Sequence, residues 1–457
     1  MGGAAEPHSR RAAAYRSRRL KPHAATAASS ARYAATHGHN NALALCAPPN
    51  GPSESTKPVA PPVSTVTLEP NASVTEHGDG PFKRRRRVLV LGLPLLHILT
   101  AAELRSVLAH EFGHYAGGDT RLGWTYRVRA AIGRTIDGLH DDDSFLMRVI
   151  QRPFIWYGKA FLRITNAISR RQEFAADAWA ARVAGRDTHL LTLRKIHRLG
   201  PAYDAYWAQE VMPVPDSGTR PPVGAGFARF VTAPTVSKAC DDGLASELEV
   251  VRSDPYSSHP TLPERLAAAE ALPAGDADSS DPRPALELVE GPEEVETRTL
   301  EALARAGGVE RLDAIDWDEV GERVYLRRFE ASVAEHAGVV RGQTIASLPG
   351  AAANPGAIAR QAFGSGVGSD THALVLGTLG AALAVALARQ GWRVEAPFAE
   401  PVVCRRGEDS VVPFEVVERL ASGDLTADAW RETCASLGID DAPLDAQAPA
   451  TAEPVAS

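Results

Sequence analysis

His110, Glu111 and His114 stand in the order H-E-x-x-H, inside the stretch TAAELRSVLAHEFGHYAGGD. On a helix, residues four apart share a face, so His110 and His114 can grip one metal ion. Glu111 then sits beside that ion, placed to take a proton from a metal-bound water. The chemistry of such a set is hydrolysis. The same spacing also fits two satisfied histidines on a core helix. A catalytic zinc usually keeps three protein ligands and one open position. Glu173, 59 residues after His114, is the best candidate for the third ligand. Asp177, four residues further on, shares its helical face and can accept a hydrogen bond from a liganding imidazole. Spacing alone fits equally a surface acid in an R-R-x-E salt-bridge pattern.

Elements must place these groups. Thr100 and Glu103 form a T-x-x-E capping box, and Leu99 with Leu104 forms a hydrophobic staple. Leu104, Val107, Leu108, Phe112 and Tyr115 follow the spacing of a buried stripe, and Gly117 and Gly118 supply a stop. The motif therefore lies mid-helix. A second helix is expected over 153–184, with Pro153 in its first turn and Gly185 as its stop. Phe154, Tyr157, Phe161, Ile164 and Ile168 mark its apolar face, and alanines around Glu173 and Asp177 permit close approach of another helix. Helices are also expected over 188–199 and from about 261 to 272, and short strands over 63–68 and 88–93.

The chain has 457 residues, 44% of them hydrophobic, enough for two or three domains with real cores. A net charge of −7 argues against nucleic acid as the main partner. Four scattered cysteines without a C-x-x-C read as reduced thiols. Residues 1–62 read as a disordered, basic, low-complexity tail, similar in composition to a transit peptide or to a solvated tail. The run Lys83 to Arg87 suits anionic lipid or acidic protein, or a solvated turn. Residues 273–284 have the composition of a linker. A mostly helical C-terminal region follows over 285–442, with a loop at 346–370, and then a tail over 443–457. The apolar stretch 373–388 falls short of the ~18–20 residues needed to span a bilayer and reads as a buried helix.

Three segments in order, HEFGHYAGGD, SRRQEFAADAWAARVAG and SSHPTLPERL, resemble the metallopeptidase family that includes the CAAX prenyl endoprotease and the bacterial protease HtpX. The likeness covers about residues 67–272. It implies a mainly α fold with a small β-sheet, of the zincin-like α+β type. It implies one zinc ion per chain on His110, His114 and Glu173, with Glu111 as general base and Asp177 orienting a ligand. His259 and Arg265 match a later His-Pro motif, which implies that they lie near the site and help to stabilise an oxyanion. Read alone, they fit a helix N-terminus with a structural arginine. Asn71-Ala72 is similar to the dipeptide that opens the family's substrate-pairing edge strand. The implied function is a zinc-dependent metalloendopeptidase acting on protein or peptide substrates, in association with membranes. The alternative is a non-catalytic binding or adaptor protein on a protease scaffold, motivated by the long unassigned C-terminal region.

Overall fold

The computed structural model describes residues 63–68, 70–77, 86–116, 145–274, 281–306, 309, 311–364 and 369–445. The expected N-terminal tail, a helix expected over 125–139 and most of the Lys83–Arg87 run lie outside these residues. The described chain is mainly helical with small sheets, as expected. It divides into two units. One holds residues 63–206 and 223–309; the other holds 207–222 and 311–445. This division differs from a break at 273–284. Residues 285–306 belong to the first unit, and 207–222 belong to the second.

The first unit opens with β1 (Val63–Thr67), β2 (Ala72–His77) and β3 (Arg86–Gly92), in the order β1-β3-β2. β1 runs parallel to β3 and β2 antiparallel, so β2 is an edge strand. Strand β2 was not expected from residue patterning; its Ser73, Val74 and Thr75 pair with Val90, Leu89 and Val88. Leu89 and Leu91 are buried. The chain then turns into α1 (Leu93–Ile98), with Pro94 in the first turn.

The motif helix α2 (Ala101–Ala116) follows. The capping box forms as expected: Thr100 N–H donates to Glu103 Oε2 at 2.8 Å, and Glu103 N–H donates to Thr100 Oγ1 at 3.2 Å. Leu99 and Leu104 are both buried. Two further first-turn donors find carbonyls in the segment that precedes residue 285. Ala101 N–H donates to Arg283 O at 2.7 Å and Ala102 N–H to Asp281 O at 3.2 Å, while Ala285 N–H returns to Leu99 O at 2.9 Å. The end of the expected linker thus serves as part of the helix cap.

Helix α3 (Phe145–Ala184) begins before Pro153, and Gly185 ends it with a positive φ of 88°. Its expected apolar face is only partly buried: Ile164 is 65% and Ile168 48% exposed. The face turned inward carries Asn166, Glu173, Ala176, Asp177 and Ala180 instead. Small and polar residues face the core because α2 approaches there. Gly113 of α2 lies against α3, and a Cβ on it would stand 2.9 Å from Ala176 Cα. That backbone atom cannot swing away. Glycine mid-helix costs about 1 kcal/mol relative to alanine, so a Gly→Ala change would ordinarily help. Here the overpacking cost, about 1–3 kcal/mol, outweighs that gain. Gly113→Ala should therefore lower the melting temperature; an unchanged or raised value would show that the helices are not in tight contact.

Helix α4 (Arg186–Leu199), the short α5 (Ala202–Tyr206), α6 (Val223–Phe230), α7 (Pro234–Leu248) and α8 (Leu262–Glu270) complete the frame of the site. Leu193 of α4 packs with Leu262 and Leu266 of α8, which fixes α8 over α4. Helix α9 (Pro292–Ala306) closes the unit.

The second unit has its own core. Its centre is α10 (Ser369–Arg389), with Leu379, Leu383 and Leu387 fully buried. The helix is long and apolar enough to cross a membrane, and 67% of its apolar stretch is buried within the fold. Phe414 packs onto Gly380, and Trp430 donates from Nε1 to Ile345 O at 3.1 Å. A three-stranded antiparallel sheet follows α10: β4 (Arg393–Glu395), β5 (Val403–Arg406) and β6 (Asp409–Val411). The loop expected at 346–370 contains helices Leu348–Ala353 and Pro355–Phe363. Pro349 and Pro355 each stand in a first turn, where a missing N–H costs nothing. Leu444 is buried, so order continues beyond 442.

Candidate metal centre

One turn of α2 separates His110 from His114, and their Nε2 atoms lie 3.1 Å apart. The imidazoles stand nearly perpendicular, at 87°. Glu173 arrives from α3, with Oε2 3.6 Å from His110 Nε2 and Oε1 3.7 Å from His114 Nε2. The three ligand atoms lie within 4.8 Å of one another and could hold a metal ion. Ligands about 2.0–2.1 Å from a tetrahedral ion are ~3.3–3.4 Å apart, so the observed separations fit such an ion with little adjustment.

Behind the ligands lies Asp177, one turn along α3 from Glu173. Its Oδ1 is 2.9 Å from His110 Nδ1, although the N–H does not point squarely at it. Arg265 of α8 holds the same carboxylate with two bonds, from Nε to Oδ2 at 2.8 Å and from Nη2 to Oδ1 at 2.6 Å. Its Nη1 is 3.8 Å from Glu173 Oε2. His259 lies in the loop before α8, 69% exposed at its side chain, with Nδ1 3.0 Å from Glu173 Oε1.

That loop is built to deliver His259. Asn166 donates to Tyr256 O at 2.6 Å and Arg170 to Ser257 O at 2.6 Å, tying it to α3. Thr261 and Glu264 cap α8, and Ser253 bonds the Glu264 carboxylate. Glu111, Asn71 and Ala72 line one cleft with His110 and Arg265. The structure thus brings the candidate site residues into one region of the first unit.

The charges follow from this packing. Burial alone would raise Glu173, but hydrogen bonds from His110 and His259 and the charge of Arg265 hold it well below the carboxylate range. Asp177 is likewise buried, yet Arg265, His110 and His189 hold it far below its usual value. Burial opposes charge on His110, and bonds to the two carboxylates nevertheless raise its pKa to about 9. Burial pushes Glu111 up to about 7, against the pull of His110.

These shifts give the metal-free protein a defined pH response. Glu173 and Asp177 have depressed folded values, so their contribution is full above their ordinary values of 4.5 and 3.8 and is lost on acidification. The folded value of His110 is raised, so its contribution is full below 6.5 and is lost as pH rises through about 9. Glu111 also has a raised folded value, so its contribution is full below 4.5 and is lost as pH rises through about 7. Urea midpoints of metal-free protein should therefore peak near pH 4.5 and fall on both sides. A midpoint that climbs steadily from pH 6.5 to 9 would contradict the His110 assignment.

Sequence reasoning missed two residues. Ser106 lies one turn before His110 on α2, and its Oγ is 2.9 Å from Nδ1 of His189 on α4. His189 Nε2 in turn lies 3.3 Å from Asp177 Oδ1. The only signal in the sequence was a lone histidine in the helix after the E-x-x-x-D segment, which by itself marks nothing.

The family model described as Peptidase family M48 matches residues 71–272. A protease HtpX homolog from Pyrococcus abyssi is 32% identical over 136 residues, covering 26% of this chain and 44% of that protein. Protease HtpX from Shewanella denitrificans is 32% identical over 162 residues, 32% of this chain and 56% of its own. Protease HtpX from Pseudoalteromonas atlantica is 25% identical over 219 residues, 45% of this chain and 62% of its own. The chain spans about half the length of the curated relatives it matches. No solved structure matches it. The segment that resembles peptidase family M48 and the HtpX proteases contains all three candidate ligands and the acid beside them.

Proposed function

We propose that this chain is a zinc-dependent metalloendopeptidase. The observation that carries the reading is the convergence of His110 Nε2, His114 Nε2 and a Glu173 oxygen within 4.8 Å, with Glu111 in the adjoining cleft. Two imidazoles and one carboxylate are a donor set suited to zinc, which leaves one position open. When bound, zinc would lower the pKa of water and polarise a peptide carbonyl. The chain's own groups do the rest. Glu111 takes the proton from the attacking water and hands it to the leaving amine. A carboxyl near neutrality suits a group that must do both. Asp177 holds the His110 ring by its Nδ1 side, which leaves Nε2 for the metal. Arg265 holds Asp177. His259, exposed at the rim beside Glu173, is the group placed to reach a developing oxyanion.

An extended peptide would add to β2, an edge strand among the described residues, whose first residue Ala72 lines the cleft beside Asn71. Backbone pairing gives affinity there, and the cleft takes a side chain. Its walls include Leu95, Val107, Leu193 and Ile196, so an apolar side chain is favoured.

The test combines elemental analysis with cleavage of casein and of a peptide library. One zinc per chain with chelator-sensitive endoproteolysis is expected. A protein that captures partners equally well after His110→Ala, and cleaves nothing with zinc present, would favour the adaptor reading instead.

A further inference from the structure

We propose that His189, oriented by Ser106, is a positioning residue that fixes the Asp177 carboxylate and through it the ring of His110. The inference rests on the zinc-peptidase reading and extends it to a pair of residues outside the three motifs.

His189 and Ser106 are 3% and 1% exposed, so both polar side chains must find partners inside the protein. Ser106 Oγ and His189 Nδ1 meet at 2.9 Å. The other ring nitrogen, Nε2, faces Asp177 Oδ1 at 3.3 Å, and no better aligned partner stands against it among the described residues. A lone pair on Nε2 would repel the carboxylate at that distance, so Nε2 carries the hydrogen. Nδ1 is then the acceptor, and the Ser106 hydroxyl donates to it. A neutral imidazole satisfies the whole chain from Ser106 to Asp177.

Location explains why this matters. Ser106 and His110 are successive turns of α2, Asp177 is on α3 and His189 is on α4. The pair therefore ties three helices at the oxygen that His110 Nδ1 also uses. A carboxylate rotates broadly about its terminal torsion. Arg265 grips it from α8, and His189 meets Oδ1 from α4, limiting rotation away from His110. A leucine at position 189 would pack with less desolvation cost, so a buried His–Ser pair points to a polar task.

The test uses the full chain. Zinc affinity is read by chelator competition, and ligand geometry by the visible spectrum of the cobalt-substituted protein, with near-ultraviolet circular dichroism as the check on folding. His189→Leu removes the donor and should weaken zinc by about tenfold or more and alter the cobalt bands. His189→Gln can place an amide N–H where Nε2 stands and should stay within about threefold of the wild type. Ser106→Ala deletes one hydroxyl, frees the imidazole to take the other tautomer, and should weaken zinc measurably even where His189→Leu does not fold. Wild-type affinity and cobalt bands in both His189→Leu and Ser106→Ala would overturn the inference, as would a glutamine variant as impaired as leucine. A wild type that takes up no zinc would overturn the peptidase reading beneath it.

Discussion

The Glu111→Gln protein is expected to keep its zinc and lose peptide hydrolysis. Glu111 is not among the three groups that could hold a metal ion, so the amide should leave metal binding in place. It preserves shape and removes the only property the mechanism needs, a carboxylate able to accept and return a proton. General acid–base catalysis contributes about 10²–10⁴-fold, so kcat/KM should fall by that factor, roughly 3–5 kcal/mol of transition-state stabilisation. Steady-state cleavage of a fluorogenic peptide, beside elemental analysis of the same sample, reads both quantities. Activity within tenfold of the wild type would remove Glu111 from the mechanism. Loss of zinc together with activity would instead make Glu111 part of the metal's support.

The largest stability effect is expected at Asp177. Its side chain is 2% exposed and that of Arg265 11%, so both charges are largely withdrawn from water. Among the described residues, Asp177→Ala leaves the guanidinium with the looser approach of Glu173 at 3.8 Å and the charge of Glu111. Breaking a buried pair by removing one partner costs about 3–5 kcal/mol, because the remaining charge is buried uncompensated. His110 loses its Nδ1 partner at the same time, and loss of such support weakens metal binding about 10–100-fold. Urea melts of metal-free protein and chelator competition separate the two effects. The double change Asp177→Ala with Arg265→Met should recover part of the stability and none of the zinc affinity, since it removes the stranded charge without restoring the orienting group. Equal stabilities for the single and double variants would show that the pair is not the source of the loss.

The site was legible where local chemistry fixed it. Thr100, Glu103 and the His110–His114 spacing determine one another within a few turns, and the helix forms with the expected cap. Glu173 was ambiguous because a carboxylate in an R-R-x-E string is also what a surface helix carries. Only the approach of α3 to α2, made possible by Gly113 over Ala176, turns it inward. The same approach overrode the apolar pattern of α3. Phe161, Ile164 and Ile168 have helical spacing, yet the buried face is the one with Glu173, Ala176 and Asp177. Periodicity counts apolar residues, whereas a buried charge cluster recruits the opposite face. His189 was invisible for a related reason: its meaning lies in partners 83 residues away on α2 and on a third helix. In the C-terminal unit, Gly, Ala and Ser between 346 and 370 suggested a loop, and prolines at first-turn positions built helices instead.

The way the two units share the chain has a consequence for biosynthesis. Residues 207–222 belong with 311–445, and the motif-bearing unit takes the chain up again from 223. No single cut in the polypeptide releases either unit intact. Helix α2 takes part of its cap from Asp281 and Arg283, which the ribosome delivers long after His110 and His114 have emerged. Domains tend to fold as units in the order in which they are made. Here the nascent chain carries the motif helix with only its local Thr100–Glu103 cap, and the helix gains the rest of its cap once the segment beyond 281 has left the exit tunnel.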